Sequence, residues 1–262
     1  MAYLYETHLH TYGVSACGIS RGSDYIKAYK ERGYTGIIVT DHFYNGNTAL
    51  SRDLPWDEWV NRFCGGYEDA KEEGDRQGLD VFFGWEETFD KGDDYLVYGL
   101  DKGWMLEHPE IRYWSRLDQY RAVKKAGGCV VQAHPFRQRD YIKKIVLSTG
   151  CVDGVEAANG GNNNAWDALA YRYAKNIGKT IIAGSDIHDV SAVYADNIFG
   201  VYLDIKLDSI DDFVKVICNN DIAGIKTSGG RFNFYGNETV DTPVEVRGKN
   251  DKAAGRSWKE YV

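Results

Sequence analysis

Tyr3-Leu4-Tyr5-Glu6-Thr7-His8-Leu9-His10 is a short β-like run that ends in two histidines one residue apart. The arrangement returns along the chain. Gly36-Ile37-Ile38-Val39-Thr40 runs into Asp41-His42, and Cys129–Ala133 runs into His134-Pro135. The run containing Ile181 and Ile182 continues into Gly184-Ser185-Asp186-Ile187-His188. Five of the six histidines therefore lie at or next to the C-terminal end of a predicted strand. Residues i and i+2 of an extended segment point to the same side. His8 and His10 are thus able to direct both imidazoles at one point, and so are Asp186 and His188. Each fragment alone also fits a buried hydrogen-bonded pair or a turn. Four of them at the same end of successive strands point to one shared metal site.

The segments around these strands alternate β with α. Predicted strands are Tyr3–Thr7, Gly36–Thr40, Val81–Trp85, Tyr95–Tyr98, Cys129–Ala133, Gly154–Ala157 and Thr180–Ala183, followed by Gly200–Leu203 and Ile222–Lys226. Helical spacing appears in Asp24–Arg32, capped by Ser23, and in Trp56, Trp59, Val60 and Phe63. It returns in Leu117–Ala126, Ala165–Ile177 and Ile210–Cys218. About seven β-α alternations without a Pro/Gly/Ser-rich linker predict a parallel α/β architecture in a single domain spanning residues 1–262. A barrel places its strand ends around one face, so distant residues converge on one site. From about Gly229 the chain is rich in Gly, Asn and charge, and irregular structure or short strands are expected there.

Composition narrows the chemistry. The 262 residues carry 31 Lys and Arg against 39 Asp and Glu, a net charge of -8. Such a surface argues against duplex nucleic acid, whose binding needs several cationic contacts to phosphates. A small phosphorylated substrate remains compatible, because bound divalent cations reverse the local sign. The five cysteines are widely spaced and form no CxxC pair, which favours a reducing compartment over a disulfide framework. With no signal-like N-terminus and no apolar run long enough to span a bilayer, a cytoplasmic protein without a membrane is expected. His108, in Leu-Glu-His-Pro-Glu, reads as a solvated loop histidine.

The ordered set His8-Leu9-His10, Thr40-Asp41-His42, Gly84-Trp85-Glu86, Ala133-His134-Pro135 and Gly184-Ser185-Asp186-Ile187-His188 resembles the PHP (polymerase and histidinol phosphatase) family. The likeness runs from residue 5 to residue 189. It implies a distorted (β/α)7 TIM-like barrel holding two or three divalent metal ions, Zn, Mn or Fe, and hydrolysis of phosphate esters. By this resemblance His8, His10 and Asp186 hold the first ion, and Glu86 bridges it to a second that His134 also holds. Relatives supply the second ion with a further histidine after the bridging Glu; here Asp94 stands in that place, as a ligand or as a turn cap. His42 and His188 resemble ligands of a third ion. The Asp or His usual soon after His-x-His is replaced by Ser15, with Cys17 close enough to substitute or simply to be buried.

A metal-bridged hydroxide is the nucleophile that the resemblance implies, by the logic of two-metal hydrolysis. Asp41 and Asp189 are placed either to orient ligand imidazoles or to serve as a cap and a turn residue. Arg137, in His-Pro-Phe-Arg, offers a bidentate fork for phosphate, with Arg21 and Arg231 also in loops. Asn159, at the end of Val-Glu-Ala-Ala-Asn, reads as a substrate contact or a helix cap. No general acid is singled out, although His42 or His188 would serve if the third ion were absent. The leading expectation is a phosphoesterase for a small phosphorylated metabolite. A phosphodiesterase or exonuclease on short oligonucleotides or nucleotide bisphosphates is the alternative. A non-catalytic metal-binding scaffold is a third, and an amidohydrolase is more remote.

Overall fold

In the computed structural model, which describes residues 2–262, the histidine-bearing strands stand side by side. The elements in chain order are β1 (Tyr3–Glu6), α1 (Gly22–Glu31), β2 (Gly36–Val39), α2 (Trp56–Phe63), α3 (Gly65–Gln77), β3 (Asp80–Asp90) and β4 (Asp93–Tyr98). There follow α4 (Lys102–Glu107), α5 (Arg116–Lys125), β5 (Cys129–Gln132), β6 (Ile145–Ser148), β7 (Gly154–Asn159) and α6 (Asn164–Asn176). The last are β8 (Thr180–Gly184), α7 (Val190–Tyr194), β9 (Gly200–Leu203), α8 (Ile210–Asn219), β10 (Gly224–Lys226) and β11 (Val244–Arg247). Nine strands form one sheet in the order β10-β9-β1-β2-β3-β4-β5-β7-β8. Its far edge returns against the first, β8 meeting β9 and β10, so the sheet curls into a nearly closed α/β barrel.

The barrel is mixed rather than parallel. β4 runs antiparallel to β3 and β5, and β9 runs antiparallel to β1 and β10. The cause is loop length. Only Lys91 and Gly92 separate β3 from β4, with Gly92 at φ +84°, and a two-residue connection permits only a hairpin. The remaining barrel pairs are parallel, so β1, β2, β3, β5, β7 and β8 all end on one rim. That shared rim positions the site.

Outside the sheet, aromatic side chains fill the layer under α2. Phe43, Trp59, Phe63 and Trp85 are fully buried; Trp59 and Phe63 stack at 4.9 Å, and Phe43 meets each of them edge-on at 5.2 Å. Each such ring contributes about 1.5–3 kcal/mol by leaving water. The helix ends follow local chemistry. Ser115 caps α5 in a reciprocal box with Asp118, and Asn163 caps α6. Ser23 is not the cap expected of it: α1 begins two residues earlier, after extended Arg21, whose N–H donates to Asp24. His108 ends the short helix α4, its ring stacked on Trp104 at 4.2 Å and its Nδ1 bonded to the Trp104 carbonyl. It is therefore packed, not a solvated loop residue.

The C-terminal segment is more ordered than its composition implies. β11 pairs in parallel with β6, in a two-stranded sheet that the sequence reading omits. Phe232, Val240, Trp258 and Tyr261 pack on the cluster around Phe136 and Tyr173. Among the described residues, no helix is long and apolar enough to cross a membrane.

Candidate metal centre

Six strand ends deliver a buried set of imidazoles and carboxylates. β1 leads into His8 and His10, both at 0 % exposure, and β3 carries Glu86, also at 0 %. His134 follows β5, and Asp186 and His188 follow β8. Two of these residues hold unusual backbone: His134 has φ +28° and Asp186 has φ +52°. Left-handed φ in a residue with a Cβ costs on the order of 1–3 kcal/mol and collects at functional sites. Here it turns both side chains back over the strand ends.

The protons of the two β1 histidines are fixed by their neighbours. Ser15 Oγ donates to Asp41 Oδ1 at 2.6 Å and accepts the His42 backbone N–H. Its remaining role toward His10 Nδ1, 3.2 Å away, is acceptor, so His10 carries its proton on Nδ1. His8 Nδ1 lies 2.9 Å from Glu156 Oε1 and donates to it. Both Nε2 atoms are then free of that proton, and they face each other at 3.1 Å. Two bare lone pairs repel at that distance unless a cation lies between them.

The surrounding atoms complete a ligand shell. Asp186 Oδ1 is 3.1 Å from His10 Nε2 and 3.6 Å from His8 Nε2. Glu86 places Oε1 3.5 Å from His8 Nε2 and Oε2 3.5 Å from His10 Nε2. Ligand atoms around one tetrahedral transition-metal ion stand about 3.3 Å apart, given bonds of about 2.0–2.1 Å. Glu86 Oε2 and His42 Nδ1 face each other at 2.7 Å without hydrogen-bond alignment, and both are buried without a partner. Without an ion, burial disfavours a charged His8, yet Glu156, Asp186 and Glu86 outweigh it and raise its pKa well above the usual range. Burial, together with His42 and His188, holds His10 well below it. The residues fit a metal ion.

Two further donor groups adjoin the first. Glu86, Asp94 and His134 form one: His134 Nε2 lies 3.0 Å from Glu86 Oε1 and 3.9 Å from Asp94 Oδ2. Asp94 Oδ1 accepts from Thr88 Oγ1 at 2.6 Å. Burial and the Glu86 charge push the Asp94 carboxyl up to about 6. Asp94 therefore faces the cluster rather than capping a turn. His10, His42 and His188 form the other, with the His10 ring stacked at 4.2 Å on His42 and 4.5 Å on His188. Ser15 is spent on Asp41, His42 and His10 and does not join them. Cys17 lies beside His188 and His42; burial pushes its thiol up, but hydrogen bonds to both rings pull it down to about 6.

Around these donors runs a set of orienting groups, several of them not anticipated. Glu156 accepts from His8 through Oε1 and from the His134 N–H and Asn159 Nδ2 through Oε2, at 2.9, 3.0 and 2.8 Å. A bulge follows it in the β7–β8 pairing, a device that re-aims side chains. Glu6, fully buried, takes the backbone N–H groups of Thr7, His8 and Ser185 and the hydroxyls of Tyr29 and Ser185. The strand period offered a signal for Glu6, which alternates in phase with His8 and His10. For Glu156 the signal was a carboxylate inside an apolar run. Asp41 reaches His10 only through Ser15, and Asp189 caps α7.

Arg137 Nη2 donates to Asp186 Oδ2 at 2.7 Å and to Asn159 Oδ1 at 2.6 Å, and its Nε donates to Asn162 Oδ1. Both polar ends of the Asn159 side chain are thereby engaged within the protein. Arg21 precedes α1, where its N–H donates to Asp24. Arg231 is buried and committed to Asp167, to the carbonyls of Asn159 and Asn162, and to Asn164. Beside the ligands opens a cavity of about 540 Å³ whose wall includes Asn45, Lys91, Asp94, Arg137, Tyr141 and His188.

No family model matches the sequence, and no curated protein matches it. Among solved structures the chain is similar to a two-domain protein from Bacteroides vulgatus containing a predicted PHP-like metal-dependent phosphoesterase. That likeness has 16% identity over 87% of this chain and 65% of the other, with a TM-score of 0.59. The chain therefore spans 65% of that protein's length. It is also similar to PsfC from Pseudomonas syringae, at 14% identity over 88% of this chain and 93% of the other, with a TM-score of 0.50. At these identities what is shared is the fold, and it is the fold that the motif resemblance implies.

Proposed function

We propose that this chain is a metal-dependent phosphoesterase that hydrolyses a small phosphorylated metabolite in the cavity beside His188 and Arg137. The observation that carries the reading is the pair of His8 and His10 Nε2 atoms, 3.1 Å apart with both Nδ1 protons spoken for. Carboxylates outnumber fixed cations at the centre: Glu6, Glu86, Glu156 and Asp41 are buried and Asp94 and Asp186 half-buried, and Arg137, paired with Asp186, is the fixed cation among them. His8, His10, Asp186 and Glu86 would hold one ion, and Glu86, Asp94 and His134 a second. Bound there, divalent cations supply positive charge opposite phosphoryl oxygens and make water more acidic.

The chain's own residues do the rest. Arg137, anchored by Asn159 and Asn162, presents a fixed guanidinium at the wall and binds a phosphoryl oxygen. Glu156 and Ser15 hold the two β1 imidazoles in one tautomer. His188, partly exposed at the cavity, holds a proton at its ring for the departing oxygen, and Asp186 and Cys17 support its charged form. The test is a panel of phosphate monoesters and diesters assayed with added Mn, with metal content measured alongside. Monoester turnover that disappears with a chelator is expected. Diester turnover alone would favour the phosphodiesterase reading, and stoichiometric metal without any turnover would favour a scaffold.

A further inference from the structure

The cavity does not end at the metal ligands. A second depression of about 380 Å³ shares Asn45, Thr88 and Lys91 with it and extends to Arg112, Tyr113 and Trp114. Its floor is the tip of the β3–β4 hairpin. Lys91 lies on the boundary and lines both spaces. Among the described residues, neither the Lys91 ammonium nor the Arg112 guanidinium forms an ion pair with a carboxylate within 4.0 Å. Arg112 is nevertheless held in place. Its Nε donates to the Pro109 carbonyl at 2.7 Å, and its guanidinium lies 4.9 Å over Trp56 and 5.2 Å over Tyr113. Asn45 Nδ2 donates to the Arg112 carbonyl at 3.1 Å, joining the two walls. The one carboxylate of the groove, Asp90, accepts the Lys91 backbone N–H at 2.8 Å and so serves the turn.

A chain with eight more acidic than basic residues thus keeps two unpaired cations at the outer end of its catalytic cavity, one of them braced by rings. Tyr113 is 77% exposed, so its ring offers an apolar wall that nothing in the fold covers. We infer that this groove is a second anion subsite, and that the substrate carries a further anionic group, most simply a second phosphate, beyond the reacting ester. Resting on the phosphoesterase reading, the inference names the substrate class for that site. Lys91 and Arg112 take the distal anion, and Tyr113 and Trp114 line the spacer. The metal ligands and Arg137 take the ester that is cleaved.

The test compares α,ω-alkanediol bisphosphates of graded length with alkyl monophosphates of matching length. Both turnover and calorimetric binding are measured on the Mn-loaded protein. The inference expects one spacer length to lower KM about tenfold relative to its monophosphate, with kcat little changed. Lys91→Ala and Arg112→Gln should each return about three- to fivefold of that gain, in line with partly exposed ion pairs, and Arg112→Gln, which lies outside the cavity of the reacting ester, should leave monophosphate turnover unchanged. Lys91→Glu, at an exposed position, should erase the preference even if Arg112→Gln proves misfolded. Equal KM values for mono- and bisphosphates in wild type would overturn the subsite and leave the phosphoesterase reading intact. If no ester is turned over, that reading fails and binding decides: tighter bisphosphate binding that Lys91→Glu abolishes upholds the subsite, and equal binding overturns it.

Discussion

Glu156 touches three parts of the centre at once. Its carboxylate accepts from His8, from the His134 backbone and from Asn159, so all of its contacts require acceptors. Glu156→Gln keeps the size but must turn an NH2 toward one of those donors, whichever way the amide lies. We predict a 10- to 100-fold loss of metal affinity, the usual cost of removing a group that orients a ligand imidazole. Competition with a chromogenic chelator measures it, and wild-type affinity would show that His8 is held by packing alone. At this scale the sequence was readable where residue type and position coincided: histidines and carboxylates at strand ends announced themselves. Ser15 did not, because its part depends on which partner takes its single proton. Glu6 and Glu156 did not, because a carboxylate within a strand is ambiguous until the barrel closes over it.

At the scale of the element, β3 shows alternation dividing two adjacent carboxylates. Glu86 faces the metal centre and Glu87 the opposite side, as the period of two requires. Glu87 is nonetheless buried, at 1% exposure, with Oε2 unpartnered. Burial pushes its carboxyl up to about 8, with Asn45 and the Thr88 N–H only partly opposing. The folded chain therefore keeps a proton that the unfolded chain releases near pH 4.3. Stability from this group is complete below that value and is lost as pH rises toward 8. Glu87→Gln should match wild type near pH 4 and exceed it at pH 8 by on the order of 4–5 kcal/mol, read from denaturant titrations at both pH values. Parallel curves at both would contradict the burial argument. The same strand marks where the element-level reading failed. The two-residue gap before β4 already demanded a hairpin, but the rhythm of β and α masked it. β6 was missed, and β11 was expected only as an unplaced short strand beyond Gly229, because a four-residue strand declares itself only when its partner, about a hundred residues away, is in place.

Across the whole molecule, the C-terminal segment reaches the rim of the candidate site without contributing a proposed ligand. Arg231 binds the loop after β7 through Asp167 and the carbonyls of Asn159 and Asn162, and Asn159 and Asn162 in turn brace Arg137. Arg231→Ala should raise KM for a phosphate ester about tenfold while metal content and kcat stay near wild type, since it releases Arg137 without touching the donors. Loss of metal as well would show that the loop supports the ligands directly. The placement of the first donor set has a consequence for how the protein is made. His8 and His10 leave the ribosome before Asp186, which emerges only after most of the barrel has been synthesised. A nascent chain therefore presents a histidine pair long before the carboxylate that completes it. The shell comes into being late in translation, so an ion captured sooner would be held by fewer donors and freely exchanged, and the final choice of metal falls to the finished barrel.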